Sequence, residues 1–414
     1  MASKLSTSEV KSLLNSHLEE VLNPEIIDAV LESGRPLEIY WGTATTGRPH
    51  CAYFVPMVKI AQFLQAGCKV KVLLADIHGF LDNLKAPIEL VEYRAQYYKY
   101  VITSLLKAVG VPIDHLQFVL GSSYQKSPEY IMDLLKMSTQ VSEHDAKRAG
   151  AEVVKQSENA PLSALIYPLM QCLDEQYLSV DVQFGGTDQR KIFALAKDIL
   201  PKIGYRQRAH MMNPMVPGLQ GGKMSASDPD SKIDILDTAD AVRKKLKKAV
   251  AAPKEVEGNG VLTFVEYVLL PVSALKEGQG KEKFVVERSR DGLEPLVYTG
   301  IEQMREDYRN DVLTPQLLKP AVTEALITLL EPIQAEFQAS PEWQAIEKQA
   351  YPPPPEVKKV KKVKNKGSGY PGAAKKVEAQ PDGSVEGAGE QETDLGTNVR
   401  ETLKKLDIVG EATK

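Results

Sequence analysis

Cysteine is scarce in this chain. The 414 residues hold three, Cys51, Cys68 and Cys172, an odd number without metal-ligand spacing. That argues against a disulfide scaffold or a zinc site and for a reducing compartment. Long apolar runs are missing too, and none reaches the roughly 20 residues that a membrane helix needs. The N-terminal stretch Met1-Ala2-Ser3-Lys4-Leu5-Ser6-Thr7-Ser8-Glu9 lacks a secretory apolar region. It is poor in arginine, and Glu9, Glu19 and Glu20 come early, so no mitochondrial presequence is expected. Excess charge of one sign is absent, since 51 basic against 55 acidic side chains leave a formal charge of −4. Any nucleic-acid surface must therefore come from local clustering. No internal repeat is visible. What is expected is a cytosolic globular chain, 43% hydrophobic, long enough for two domains and a tail.

Residues 7–31 read as helical, with Thr7 or Ser8 as cap and Leu13, Leu14, Leu18, Val21 and Leu22 at helical spacing. Leu37–Gly42 reads as a strand, Ala52–Ala66 as a helix ended by Gly67, and Val70–Asp76 as the next strand. Strand, helix, strand at this spacing is a βαβ unit, which predicts an α/β fold with a parallel sheet. A helix over 88–108 and strands at Leu116–Leu120 and near Val180–Phe184 continue the pattern. After about residue 230 strand signals fade and helical patterns take over, as in 242–248 and 315–337. These shifts divide the chain into domains at 1–230 and 231–350. Tyr351-Pro352-Pro353-Pro354-Pro355 stops the fold, and 351–414 reads as a disordered tail with a basic and an acidic half.

Three stretches carry chemistry. His50-Cys51-Ala52-Tyr53 follows the first strand where a helix begins. Open parallel sheets bind ligands at the carboxyl ends of their strands, beside helix N-termini that favour anions. A histidine there can donate to a phosphate, and the small Gly47 and Ala52 let a nucleotide come close. A lone loop histidine is more often structural or solvated, so this stretch alone carries little. Gly222-Lys223-Met224-Ser225-Ala226-Ser227 says more. Gly218, Gly221 and Gly222 give backbone freedom, Lys223 a charge for phosphate, and Ser225 and Ser227 hydroxyl donors. Such a loop can close on a departing pyrophosphate and stabilise charge that develops in the transition state. An ordinary solvated loop is the commoner meaning of these residues, and only the pairing with His50 lifts them. Tyr167, Gln171 and Asp174 stand at i, i+4 and i+7, on one face of a helix. Pro168 suits a first turn or imposes a kink, and neither spoils that stacking. Asp174 can accept a hydrogen bond from a phenol, and Gln171 and the Tyr167 hydroxyl can hold an ammonium group. Tyr40, at the end of the first strand, would complete the phenol site. The rest of the segment is apolar, and a buried carboxylate needs a partner.

The His50 and Lys223 stretches resemble the HIGH and KMSKS elements of class I aminoacyl-tRNA synthetases. Ala52, Tyr53 and Ala226 depart from that pattern. The pocket residues narrow the resemblance to tyrosyl-tRNA synthetases of the eukaryotic and archaeal type, over about residues 37–350. The resemblance implies a Rossmann-like parallel-sheet catalytic domain followed by an α-helical anticodon-binding domain. It implies activation of L-tyrosine with ATP and Mg²⁺ to an enzyme-bound adenylate, then transfer to tRNA(Tyr), in a cytoplasmic homodimer. Catalysis would rest on His50, Lys223 and Ser225, with no protein-held metal. Tyr40, Gly42, Ala44, Tyr167, Gln171, Asp174 and Gln189 would bind tyrosine. His50, Gly186, Asp188, Lys223 and Ser227 would bind ATP, and Arg190 and Lys191 would meet the acceptor stem of the tRNA.

Where the family often carries Pro-x-Asp-Leu-Lys to read the first anticodon base, this chain has Pro315-Gln316-Leu317-Leu318-Lys319. Leu317 cannot accept from a guanine edge, so that role is not transferred. Arg243-Lys244-Lys245-Leu246-Lys247-Lys248 reads as a nucleic-acid surface, a nuclear-import signal or a solvated helix face. The Lys358–Lys366 run reads as a non-specific tRNA clamp or a solubilising tail. Three rivals remain. An indole has no phenol oxygen for Tyr40 and Asp174, against a tryptophanyl enzyme. The helical second domain and Arg190-Lys191 speak against a small adenylyltransferase, and His50, Lys223, Asp174 and Gln189 against a non-catalytic RNA-binding protein.

Overall fold

The protein, a computed structural model, is described over residues 5–82, 87–154, 160–218, 232–277, 281–289 and 292–353. Its first helix, α1 (Thr7–Asn15), is capped by Ser6 and not by Thr7 or Ser8. The Ser6 hydroxyl accepts from the Glu9 N–H and the Glu9 carboxylate accepts from the Ser6 N–H, a reciprocal box. The helix expected over 7–31 is broken by β1 (Glu20–Leu22) and resumes as α2 (Pro24–Glu32). Asn23 adopts a left-handed conformation at φ 52°, and Pro24 has no N–H with which to continue a helix.

The βαβ reading holds. β2 (Glu38–Ala44) runs through a 3₁₀ turn at Cys51–Tyr53 into α3 (Phe54–Gln65), which ends at Gly67 with φ 81°. β3 (Lys69–Ala75), α4 (Asp76–Leu81), α5 (Ile88–Val109) and β4 (Leu116–Leu120) follow. Then come α6 (Pro128–Ser138), α7 (Glu143–Gly150), α8 (Ser163–Tyr177), β5 (Val182–Gly186), α9 (Arg190–Ile199) and β6 (Ala209–Asn213). The strands form one sheet in the order β1-β6-β5-β2-β3-β4, parallel except for β1. From β2 the chain builds outward through β3 and β4, then returns to lay β5 on the other side of β2. The order reverses between β2 and β5, so their carboxyl ends frame a crevice.

Ile39, Trp41, Val70, Val72, Phe184 and Met211 share one face of the sheet and are buried there, and Tyr40 and Leu73 are buried on the other face. α3 is buried nearly all round and lies in this core, with Phe54, Met57, Ile60 and Phe63 wholly buried. Cys51, Cys68 and Cys172 are free and buried.

Beyond residue 231, α10 (Ala239–Lys248) and α11 (Gly260–Phe264) lead through a π-helical turn, Val265–Leu269, into α12 (Leu270–Glu277). A small antiparallel ribbon, β7 (Phe284–Val286) and β8 (Leu296–Tyr298), appears where helices alone were expected. Three-residue strands are too short to leave a clear alternation in the sequence. α13 (Ile301–Arg309), α14 (Pro315–Ala339) and α15 (Pro341–Ala350) close this part. α14 and α15 lean on α5. Ser104 Oγ and Lys107 Nζ each donate to Glu336 at 2.7 Å, and buried Trp343 stacks on Tyr100 at 5.3 Å. The expected tail, with its Lys358–Lys366 run, lies outside the described residues from 354 onward.

One lysine lies inside the core. Lys59 of α3 is 3% exposed, and its ammonium donates to Leu13 O at 2.9 Å, Ser16 O at 2.7 Å and Gln62 Oε1 at 3.1 Å. It satisfies carbonyls at the end of α1 that have no helical partner. Burial pushes the ammonium down to about 7. Lys59→Met leaves Ser16 O without its donor and Leu13 O with the Ser16 hydroxyl alone. The expected loss is roughly 2–4 kcal/mol of stability, read as a lower urea midpoint.

Candidate active site

The crevice between β2 and β5 opens into a cavity of about 390 Å³. Tyr40, Gly42 and Ala44 reach it from β2, and Gly185, Gly186, Asp188 and Gln189 from the end of β5 and the turn after it. Register sets this, because Tyr40 pairs with Gln183 and Trp41 with Phe184. At Gly186 a Cβ would come within 2.6 Å of Asp188 Oδ1, so a side chain there would displace that carboxylate.

α8 supplies the other wall. Tyr167, Gln171 and Asp174 all line the cavity, as their spacing predicts. Pro168 lies inside the helix and not at its first turn. Gln171 Nε2 donates to Gln189 Oε1 at 3.0 Å, joining two residues expected to hold one ammonium group. The Tyr40 hydroxyl reaches Gln171 O at 3.4 Å. Asp174 is 1% exposed. Its Oδ1 accepts from the Tyr124 hydroxyl at 2.7 Å, Gln125 Nε2 at 2.9 Å and the Tyr130 hydroxyl at 3.0 Å. Oδ2 has no hydrogen-bond partner among the described residues. Burial pushes the Asp174 acid up to about 7, against the pull of those donors.

His50 sits where β2 hands over to α3, lines the cavity and is 9% exposed. Burial, with Lys232 beside it, holds its imidazole down at about 4, so it is a neutral donor at pH 7. Its loop is braced from several sides. Cys51 N–H donates to Ile233 O at 2.8 Å, and His50 pairs with Asp234 as an isolated bridge. Tyr98 and Tyr351 hydroxyls donate to Gly47 O at 2.6 and 2.8 Å, and Arg48 joins Asp234 and Glu347. Lys223, Ser225 and Ser227 lie outside the described residues, in 219–231. Both flanks of that segment meet the site. Asn213, Pro214, Met215 and Val216 line the cavity upstream, and Ile233 and Asp234 hold the His50 loop downstream.

The profile of the family described as tRNA synthetases class I (W and Y) matches residues 32–331, most of the chain. The chain belongs to that family. It is similar to the cytoplasmic tyrosine–tRNA ligase of Saccharomyces cerevisiae, 54% identical over 90% of this chain and 96% of the relative. The cytoplasmic tyrosine–tRNA ligase of Danio rerio is 51% identical over 86% of this chain but 65% of its own length. Among solved structures, tyrosyl-tRNA synthetase from Archaeoglobus fulgidus, complexed with L-tyrosine, superposes with a TM-score of 0.72. It is 34% identical, over 80% of this chain and 99% of that one.

Two residues of the synthetase pattern stay outside the cavity. Arg190 makes a two-pronged pair with Glu20 at 2.6 and 2.8 Å, and Lys191 pairs with Glu152 at 2.8 Å. Both lie at the exposed start of α9. Conversely, Tyr124, Gln125, Tyr130 and His78 shape the site and carry no motif. Tyr124 and Gln125 follow β4, and His78 follows β3, so strand ends were the one available signal. Tyr130 had none.

His78 is buried against Tyr167, ring centroids 4.7 Å apart, and burial holds it at about 4. Both His50 and His78 therefore fold neutral, with pKa values below the 6.5 of free histidine. Their stabilising share is present above pH 6.5 and is lost as pH falls toward 4. Asp174, raised from 3.8 to about 7, works the other way over much of that window, one group against two. The expected outcome is a urea midpoint that falls from pH 6.5 to 4.5, with a shallower fall in His78→Asn.

Proposed function

We propose that this chain is a tyrosine–tRNA ligase, joining L-tyrosine to tRNA(Tyr) at the expense of ATP in the cytoplasm. Asp174 carries the proposal. A phenol both donates and accepts, and the cavity floor offers an acceptor without a partner, Oδ2, beside the Tyr40 hydroxyl as donor. An indole N–H would leave that hydroxyl unused. Tyr167 and the linked Gln171 and Gln189 take the ammonium group, and the small Gly42 and Ala44 leave room for the substrate. The tyrosine carboxylate is thereby directed toward β5 and the His50 loop.

ATP lies with its ribose at Gly186 and Asp188 and its phosphates at His50. A carboxylate oxygen of tyrosine attacks the α-phosphorus, the bond to the bridging oxygen breaks, and pyrophosphate leaves with that electron pair. His50, neutral, donates an N–H to phosphate. Lys223, Ser225 and Ser227 close from the segment anchored at both sides of the cavity, adding charge and hydroxyl donors as pyrophosphate departs. In the second step a terminal ribose hydroxyl of the tRNA attacks the activated carbonyl and AMP leaves. Among the described residues no three His, Cys, Asp or Glu side chains gather into a metal cage. The Mg²⁺ is read as a companion of the ATP phosphates.

The helical residues 231–350 serve as the anticodon-binding domain. Arg190 and Lys191 exchange their exposed carboxylate partners for phosphates of the acceptor stem. Within 243–248, Arg243 is held by Glu324 and Asp240, and Lys245 by Asp237, which favours an ion-paired helix face over an import signal. A homodimer belongs to the same proposal, and exposed Ile131, Met132 and Leu135 on α6 offer an apolar patch of the kind self-association uses.

ATP–pyrophosphate exchange with tyrosine, tryptophan and phenylalanine tests the proposal, and exchange should require tyrosine. Asp174→Asn keeps an acceptor for the three donors but turns an N–H₂ toward the phenol. Its kcat/KM for tyrosine should fall by roughly 10²-fold, and an unchanged value would remove Asp174 from the phenol site. Lys223→Ala should slow adenylate formation by about a hundredfold with nearly unchanged tyrosine affinity. Single-turnover measurement of the adenylate checks this, and weaker tyrosine binding at an unchanged rate would contradict it.

A further inference from the structure

The two oxygens of Asp174 are treated unequally. Oδ1 accepts three hydrogen bonds, at 2.7, 2.9 and 3.0 Å, from Tyr124, Gln125 and Tyr130. Oδ2 accepts none among the described residues, and His78 Nε2 stands 3.8 Å away. None of the three donors belongs to α8. Tyr124 and Gln125 stand after β4, and Tyr130 in the first turn of α6, between 44 and 50 residues away in the chain.

We propose that Tyr124, Gln125 and Tyr130 are positioning residues for tyrosine activation. Their hydrogen bonds to Oδ1 keep the Asp174 carboxylate ionised and turned so that Oδ2 is the acceptor presented to the substrate phenol. The proposal rests on the tyrosine site described above.

Hydrogen bonds to an ionised carboxylate favour that form, and burial disfavours it. No lysine or arginine pairs with Asp174 among the described residues. His78 from α4 faces it neutral. Tyr40 from β2, Tyr167 on α8, and Tyr124 and Tyr130 are all pushed upward by burial and stay protonated. Glu175 on α8 is the like charge beside it and is tied to His210 at 2.7 Å. Ionisation of Asp174 therefore depends on neutral donors alone, and three of them on one oxygen leave it little capacity for a fourth. α6 is itself held in place. Asp133 accepts from Lys136 at 2.9 Å, from Tyr177 at 2.8 Å and from Tyr205, and the single Tyr130 hydroxyl proton is shared between Asp174 Oδ1 and Met170 O, which stands 2.9 Å away.

The test is the pH profile of kcat/KM for tyrosine in ATP–pyrophosphate exchange, run on the full chain. Tyr130→Phe removes one donor to the ionised form, so the Asp174 acid becomes weaker. The acid limb should move up by about one pH unit, about tenfold in kcat/KM on the acidic side, and activity should recover above the limb. Tyr124→Phe removes the shortest bond from a half-buried position, should shift the limb the same way, and stands in if Tyr130→Phe does not fold. Tyr177→Phe removes a neighbouring hydroxyl that serves Asp133 and should leave the midpoint in place. A pH-independent loss in both donor variants, or an unmoved midpoint, would overturn the proposal. A well-folded wild type without tyrosine-dependent exchange would instead overturn the tyrosine site itself.

Discussion

A carboxylate buried beneath the sheet crevice constrains everything around it. Asp174 has lost its water, and a charge without water or partners is too costly to keep. Helix α8 cannot supply the replacement, because its own N–H groups are spent on its own carbonyls. The donors must come from elsewhere, and they come from the turn after β4 and from α6. One side chain thus ties the edge of the sheet and a packed helix to the site helix. The bonds that steady Asp174 also decide which of its oxygens faces the cavity.

The crevice exists because of strand order. Parallel strands laid outward from β2 on both sides leave their carboxyl ends parted at β2 and β5, and the chain has no reason to fill the gap. Small residues keep it open where Gly186 meets Asp188. The wall at His50 is long-range. The His50 loop is braced by Ile233 and Asp234, by Tyr98 of α5 and by Tyr351 after α15. Residues from three distant parts of the chain therefore set the position of one imidazole, and its burial keeps it neutral.

Local patterns foretold local structure well. Strand β4 falls where its alternation placed it, and α5 and α14 extend one or two residues beyond their expected ends. The helix face of Tyr167, Gln171 and Asp174 was legible because helical spacing is a property of neighbours in sequence. The break at Asn23-Pro24 was missed, although Pro24 signalled it, because the apolar spacing on either side happened to continue. The ribbon of β7 and β8 was missed because three residues are too few to show a period.

By itself the sequence determined the βαβ order, the helix that presents Asp174, and the residue types of the two stretches, at His50 and Lys223, to which the proposed function gives the ATP phosphates. These follow from periodicity, turn residues and side-chain chemistry, all of which act over a few positions. Tertiary structure alone decided that Asp174 has Tyr124, Gln125 and Tyr130 as donors, that His50 is neutral, and that Arg190 and Lys191 face outward on Glu20 and Glu152. Burial and partnership are properties of distance in space, and strand order, not spacing in the chain, brings these residues together.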